Sequence, residues 1–143
     1  MGFDVWSEGA NTSDYLQGCH NSPKYKKGKW KVLDDGQRLL SSLIVYELSD
    51  KWFGIGSIAT PVKLRKLGWG SKITMEISKQ LESNSNAEAI FLFADINPEF
   101  YQKLEFVALP GKFKEYQSST CMVRAKNPER IWSAVDFIPP KYF

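Results

Sequence analysis

The spacing of apolar positions changes along the chain, and each change marks an element. Residues 30–33 form a short strand candidate, closed by the turn signal Asp34-Asp35-Gly36. Residues 39–48 are rich in Leu, Ile, Val and Tyr and stop at Ser49-Asp50, which predicts a second strand. Residues 52–60, with Phe53, Ile55 and Ile58 as apolar members, predict a third. Short runs at this spacing argue for an antiparallel meander. Pro61 breaks the strand pattern. From Trp69 the period becomes four: Trp69, Ile73, Ile77 and Leu81 share one face of a helix that reaches about Glu82.

Beyond the polar stop at residues 83–86, residues 89–94 (Ala-Ile-Phe-Leu-Phe-Ala) are almost entirely apolar, the pattern of a strand buried on both faces. Asn97-Pro98 starts a helix, with Asn as N-cap and Pro at the first helical position. That helix carries Phe100, Tyr101 and Leu104. Residues 106–109 and 119–123 are two more strand candidates. The tail from residue 127 has little pattern beyond a turn of helix around Ile131 and Trp132. Residues 1–29 read as a polar, loop-rich lead-in, with Ser13 and Asp14 able to cap a short helix through Tyr15 and Leu16. The order strand, strand, strand, helix, strand, helix, strand, strand predicts an α/β (α+β) fold: a mixed sheet with helices packed on it.

Composition narrows the function classes. A chain of 143 residues predicts one domain spanning 1–143, long enough to bury a real core. A formal net charge of +3 falls well short of a nucleic-acid-binding signature and does not oppose an anionic ligand. The basic stretch 24–31, interleaved with Tyr25 and Trp30, reads as solvated surface. Cys19 and Cys121 have no metal-ligand spacing and are expected as free thiols in a reducing compartment. The first ten residues carry Asp4 and Glu8 and no apolar run, so no signal peptide is expected. No membrane span is expected either, and the cytoplasm is the default location.

The candidate chemistry lies at the strand-to-helix junction, where Arg65, Lys66, Leu67, Gly68, Trp69, Gly70 and Ser71 follow Thr60 and Pro61. The first N–H groups of a helix lack internal partners and, with the helix dipole, make an anion site. Glycines let a pyrophosphate approach the backbone. A Walker loop is excluded because the Gly-Lys-Ser/Thr ending is missing, and a dinucleotide fingerprint is a poor fit with only two of its three glycines placed. A tight loop with glycines for turning is the bland alternative.

These residues resemble the GCN5-related N-acetyltransferase (GNAT) superfamily. Arg65-Lys66-Leu67-Gly68-Trp69-Gly70 fits the superfamily's Arg/Gln-x-x-Gly-x-Gly/Ala motif at every fixed position. Tyr101-Gln102-Lys103-Leu104-Glu105-Phe106 fits its Tyr-x-Lys-x-Gly-Phe segment except at Glu105. The strand Ile55-Gly56-Ser57-Ile58-Ala59-Thr60 leads into the first motif as it does in such enzymes. The resemblance covers about residues 30–124 and implies a GNAT-like, mainly antiparallel central sheet with helices on both faces and a shortened N-terminal region. It also implies attack of an amine on the thioester of acetyl-CoA, with no metal.

The resemblance assigns the pantetheine arm to the backbone of Ile58, Ala59 and Thr60, and the pyrophosphate to residues 65–71. Asn97 either contacts the arm or caps its helix. Tyr101 would be the general acid that protonates the departing thiolate. The base is open among Glu47, Asp95, Glu8, His20 and a water chain. The expected partner is a small-molecule or peptide amine, bound by variable loops at residues 8–30 and 110–120; a homodimer is compatible, and neither nucleic acid nor membrane is expected. The alternatives are a catalytically silent CoA-binding or interaction module and, more remotely, a nucleic-acid binder that uses the basic stretch.

Overall fold

The computed structural model describes residues 2–113 and 118–143. Three short helices come first: α1 (Phe3–Trp6), α2 (Thr12–Asn21) and α3 (Pro23–Lys27). The lead-in is therefore helical where a loop-rich segment is expected. None of the three helices buries a residue, so no apolar period marks them. The cap of α2 is Asn11, not Ser13 or Asp14: Asn11 Oδ1 accepts from the Asp14 N–H at 3.0 Å, the reach from N-cap to N3.

The meander follows as expected: β1 (Lys29–Asp34), β2 (Leu39–Glu47) and β3 (Trp52–Ala59), antiparallel throughout. At the first turn Asp34 accepts from the Gly36 N–H, and Asp35 accepts from those of Gln37 and Arg38. These side chains mimic a backbone turn and make the polar cluster a tight connection. Helix α4 (Trp69–Asn84) crosses to β4 (Ala89–Ala94), which lies parallel to β3. Next come α5 (Glu99–Gln102), a two-residue β5 (Val107–Ala108), β6 (Thr120–Arg124) and α6 (Pro128–Trp132). The six-stranded sheet has the order β1-β2-β3-β4-β6-β5, and β3–β4 is its parallel pair.

The sheet is covered on both faces. On one side Ile73, Ile77 and Leu81 of α4 pack against Leu43, Val45, Phe53, Ile55, Ile90 and Leu92. Burying such a face, at ~25 cal/mol per Å² of apolar area, is what holds an amphipathic helix on a sheet. Trp69 departs from the expected stripe: it is half-buried, beyond the sheet, with the Lys72 ammonium 5.5 Å from its ring centre. On the other side Phe91 and Val123 lie under Trp52, Trp132, Phe137 and Phe143. The tail with little pattern is thus a lid of aromatic side chains over the second face. Among the described residues no helix is long and apolar enough to cross a membrane.

Candidate acyl-transfer site

Strands β3 and β4 pair only at Trp52↔Ala89, Phe53↔Ile90 and Gly54↔Phe91. From Ile55 onward they part. The parting has a local cause on the β2 side of β3. The register runs from Ile44↔Gly56 to Ser42↔Ala59, so β3 carries one extra residue, and Ser57 within that bulge has φ +50°. A bulge bends the strand that holds it and re-aims its edge.

The resulting cleft has a volume of about 620 Å³. Ile58, Ala59 and Thr60 form one wall, with Leu92 and Phe93 opposite and Arg65, Lys66, Gly68, Trp69, Gly70 and Ser71 at one end. Tyr101 and Asp95 also line it. Leu67 is exposed and Asn97 stands outside the walls. Asn97 Oδ1 accepts from the Glu99 N–H at 3.0 Å, so its carboxamide is engaged locally at the turn into α5, whose N-cap is Pro98, one residue later than expected.

Helix α4 presents its free N-terminus to this cleft. Lys72 is the first residue to close a backbone bond, donating to Gly68 O at 2.9 Å, and no side chain caps the helix. The N–H groups of Trp69, Gly70 and Ser71 therefore have no intrahelical acceptor. The two motif glycines have different reasons to be glycine. Gly68 sits at φ +85°, in the left-handed region that an L side chain enters at a cost. Gly70 is helical, and a Cβ there would make only ordinary contact, 3.6 Å from Thr60 Oγ1. Among the described residues no contact needs Gly70 bare, and it lies on the cleft wall.

The corner above the loop is fixed by side chains. Ser41 Oγ donates to Ala59 O at 2.9 Å and lies 3.0 Å from Thr60 Oγ1. Arg65 Nε donates to Thr60 O at 3.2 Å. The rest of the Arg65 guanidinium grips Asp4 of α1: Nη2 donates to Oδ1 at 2.8 Å, and Nη1 lies 2.6 Å from Oδ2. The Arg65 hydrogen bond holds the Asp4 carboxyl below the usual carboxylate range. Through this pair α1 brings Gly2, Val5 and Trp6 to the cleft wall.

Tyr101 is only 7% exposed, on α5. Burial, and after it the charge of Asp95, pushes its phenol up to about 12. It therefore stays protonated, a proton donor and not a base, through the neutral range. The α5–β5 turn explains the departure at Glu105. That residue has φ +65°, where glycine would be unstrained, and its carboxylate pairs with the buried Arg124. Arg124 also holds Glu82 at 2.7 Å and donates to Leu104 O at 2.9 Å.

Of the four side chains expected as bases, the fold brings only Asp95 to the cleft. Glu47 pairs with Lys29 at 2.5 Å on β1, and Glu8 and His20 lie outside the walls.

A second cavity of about 270 Å³ adjoins the first across β3. Ile55, Gly56, Ser57, Phe93, Asp95 and Trp6 line both. Lys24, Tyr25, Tyr142 and Phe143 complete it. Tyr142 Oη donates to Asp95 Oδ2 at 2.9 Å, and burial, with this bond next, raises its phenol to about 12. Lys24 Nζ lies 5.2 Å from the Tyr142 ring centre. The basic stretch 24–31 is solvated surface at Lys26, Lys27 and Lys29, as expected, and only Lys24 among these lysines turns inward. Tyr142 and Trp6 were not expected at the site, whereas Lys24 and Tyr25 come from the segment 8–30 expected to bind the acceptor. The one sequence signal was the pair Gly54 and Gly56 inside a strand, which marks a close approach: a Cβ on Gly54 would meet the Phe143 ring at 2.5 Å. Of the loops expected to bind the acceptor, residues 114–117 lie outside the described residues.

No family model and no curated protein matches the chain. Solved structures do. A putative N-acetyltransferase from Lactobacillus plantarum superposes with a TM-score of 0.65 at 14% identity, over 85% of this chain and 84% of that one. An acetyltransferase from Bacillus subtilis in complex with CoA gives 0.60 at 14% identity, over 80% and 84%. A GNAT family acetyltransferase from Elizabethkingia anophelis with acetyl-CoA bound gives 0.59 at 11% identity, over 80% and 83%. At these identities the likeness is one of fold: the mixed sheet with its helices is the fold of the GNAT acetyltransferases.

Proposed function

Starting from a fold shared with GNAT acetyltransferases, we propose that the chain is an N-acetyltransferase that moves an acetyl group from acetyl-CoA to an amine, all of residues 1–143 acting as one unit. The observation that carries this reading is the parting of β3 from β4 directly above the uncapped start of α4. One cleft then offers free strand edge to an amide-rich arm and free helix N–H groups to a pyrophosphate. Ile58, Ala59 and Thr60 hold the arm. Residues 65–71 hold the pyrophosphate, with Lys66 and Lys72 adding charge. The bound thioester supplies the activated acetyl group.

The chain's own residues do the rest. A backbone N–H near Thr60 donates to the thioester carbonyl as negative charge grows on its oxygen. Asp95, which reaches both cavities, receives the surplus proton of the amine directly or through water. The neutral nitrogen attacks the carbonyl carbon, the C–S bond breaks, Tyr101 protonates the leaving sulfur, and the proton shed by the acylated nitrogen passes through water to restore the Tyr101 phenol. At about 12 the phenol is a weaker acid than a thiol near ~8.5, so its proton moves to the sulfur uphill, drawn by the irreversible cleavage of the C–S bond. The second cavity receives the acceptor. The reading carries with it a cytoplasmic location, where Cys19 and Cys121 stay reduced.

Gly70→Asp tests the loop. It sets a carboxylate where the pyrophosphate approaches, while the Cβ itself is sterically tolerated. Calorimetry should show acetyl-CoA binding to the parent and its loss in a variant that keeps its circular dichroism. Unchanged affinity would sink the assignment.

The second reading, a silent CoA-binding module, draws on the N-terminal segment, where the described residues before Gly28 form helices and no strand. It predicts CoA binding without transfer to any amine in a screen of polyamines, amino acids, aminoglycosides and peptide N-termini.

A further inference from the structure

The cavity across β3 holds one cation and one anion that are not paired with each other. Lys24 is half-buried, and among the described residues its ammonium makes no hydrogen bond or close ion pair: it meets the Tyr142 ring and feels the charge of Asp95, which offsets only part of the burial that lowers its pKa. Asp95 is held by the Tyr142 hydroxyl at 2.9 Å and has its other oxygen to offer. The remaining walls are largely aromatic: Trp6, Tyr25, Phe93 and Phe143. At about 270 Å³ the space falls below the ~300–1,000 Å³ typical of drug-sized ligands.

We propose that this cavity selects a free amino acid as the acceptor, its amine toward Asp95 and its carboxylate toward Lys24. The inference rests on the acyl-transfer reading and names its substrate class. A half-enclosed charge without a partner is costly, and a ligand of complementary charge removes that cost. A zwitterion does so at both ends, with charge-assisted hydrogen bonds to each. A simple monoamine satisfies Asp95 and leaves Lys24 alone. A diamine sets a second cation beside Lys24, a repulsion that the partly desolvated site strengthens. Ring faces favour an ammonium nearby and also accept an apolar side chain. The chemistry balances: the ammonium gives one proton to Asp95, nitrogen forms the amide bond as the C–S bond breaks, the sulfur takes the Tyr101 proton, and the second proton shed by the nitrogen passes through water to restore the Tyr101 phenol. Lys24 keeps its charge throughout and is a specificity residue.

The test uses the full chain saturated with CoA. A panel of common amino acids is titrated by calorimetry, each beside its carboxamide and its decarboxylated amine. At least one amino acid should bind about tenfold or more tighter than both of its analogues, a difference of ~1.4 kcal/mol. Lys24→Met should bring that amino acid down to the level of its amine, while Asp95→Asn weakens all three. In transfer assays the Lys24→Met loss should fall on KM, with kcat kept. Equal binding of amino acid and amine would overturn the proposal, as would an amino-acid preference that survives Lys24→Met. So would acetyl-CoA labelling Lys24 itself, seen as one added acetyl in its peptide mass, because Lys24 would then be the acceptor. CoA binding without amino-acid preference removes this inference alone; failure to bind CoA removes the acyl-transfer reading with it.

Discussion

Tyr101 and Glu105 sit four residues apart on one short segment and show how a single side chain is judged by its surroundings. The Tyr101 phenol is buried at the cleft, so only its hydroxyl separates it from phenylalanine. Tyr101→Phe should leave acetyl-CoA affinity nearly unchanged and lower kcat by about 10²–10⁴-fold, the usual range for losing a positioned proton donor. With chemistry shown to be rate-limiting, a parent-like rate would make Tyr101 a core aromatic and nothing more. Glu105 carries a left-handed backbone and an ion pair to Arg124 together. Glu105→Ala keeps the strained φ and loses the pair. Glu105→Gly loses the pair and the strain. The glycine variant should therefore be the more stable of the two, by about 1 kcal/mol in urea unfolding. An alanine variant that equals it would mean that φ +65° costs nothing here.

Helix α4 does two jobs at its two ends. Its middle and C-terminal half clamp the sheet, and its N-terminus faces the cleft. Ile77→Ala should cost ~2–5 kcal/mol, because Ile77 is 8% exposed within the α4–sheet core. A loss below about half a kilocalorie, the size of an ordinary surface effect, would mean that the wrong face is turned inward. Trp69, one turn before Ile73, belongs to the ligand end. The stripe at intervals of four is real, but its first member has passed the edge of the sheet and lines the cleft. The division explains why a folded Gly70→Asp variant is expected: the anchoring residues lie further along the same helix.

Across the whole molecule the tyrosines set the response to alkali. Burial is the first cause that raises Tyr15, Tyr46, Tyr101 and Tyr142 to about 12. In the unfolded chain each phenol loses its proton near ~10. Between those values the unfolded state releases protons that the folded state keeps. Stability from these groups is thus whole below pH 10 and falls as pH rises toward 12. Asp4 works at the other end: its lowered carboxyl contributes above the ordinary carboxyl value of 3.8 and loses that contribution as pH falls below it. Urea midpoints should be flat near neutrality and drop steadily from about pH 10 to 12. A midpoint unchanged over that window would show the phenols to be solvated.

The sequence by itself determined what depends on near neighbours. Alternation and period gave the meander, α4 and β4, because burial on a sheet requires those spacings. The run from Arg65 to Ser71 was readable because an anion site at a helix start is built from consecutive backbone groups. Asn97, left between ligand and cap, makes a local bond two residues away, accepting from the Glu99 N–H at the start of α5. The tertiary structure decided what depends on distant parts of the chain meeting. Of the three lead-in helices only α2 was legible in part, through the turn at Tyr15 and Leu16; none buries a residue, so none leaves an apolar period. Asp95 became the one base candidate at the cleft, and Lys24 and Tyr142 joined it from either end of the chain, because the sheet gathers elements that the sequence keeps far apart. The parting of β3 from β4 was decided there too: it comes from a register shift against β2, and a register belongs to two strands at once.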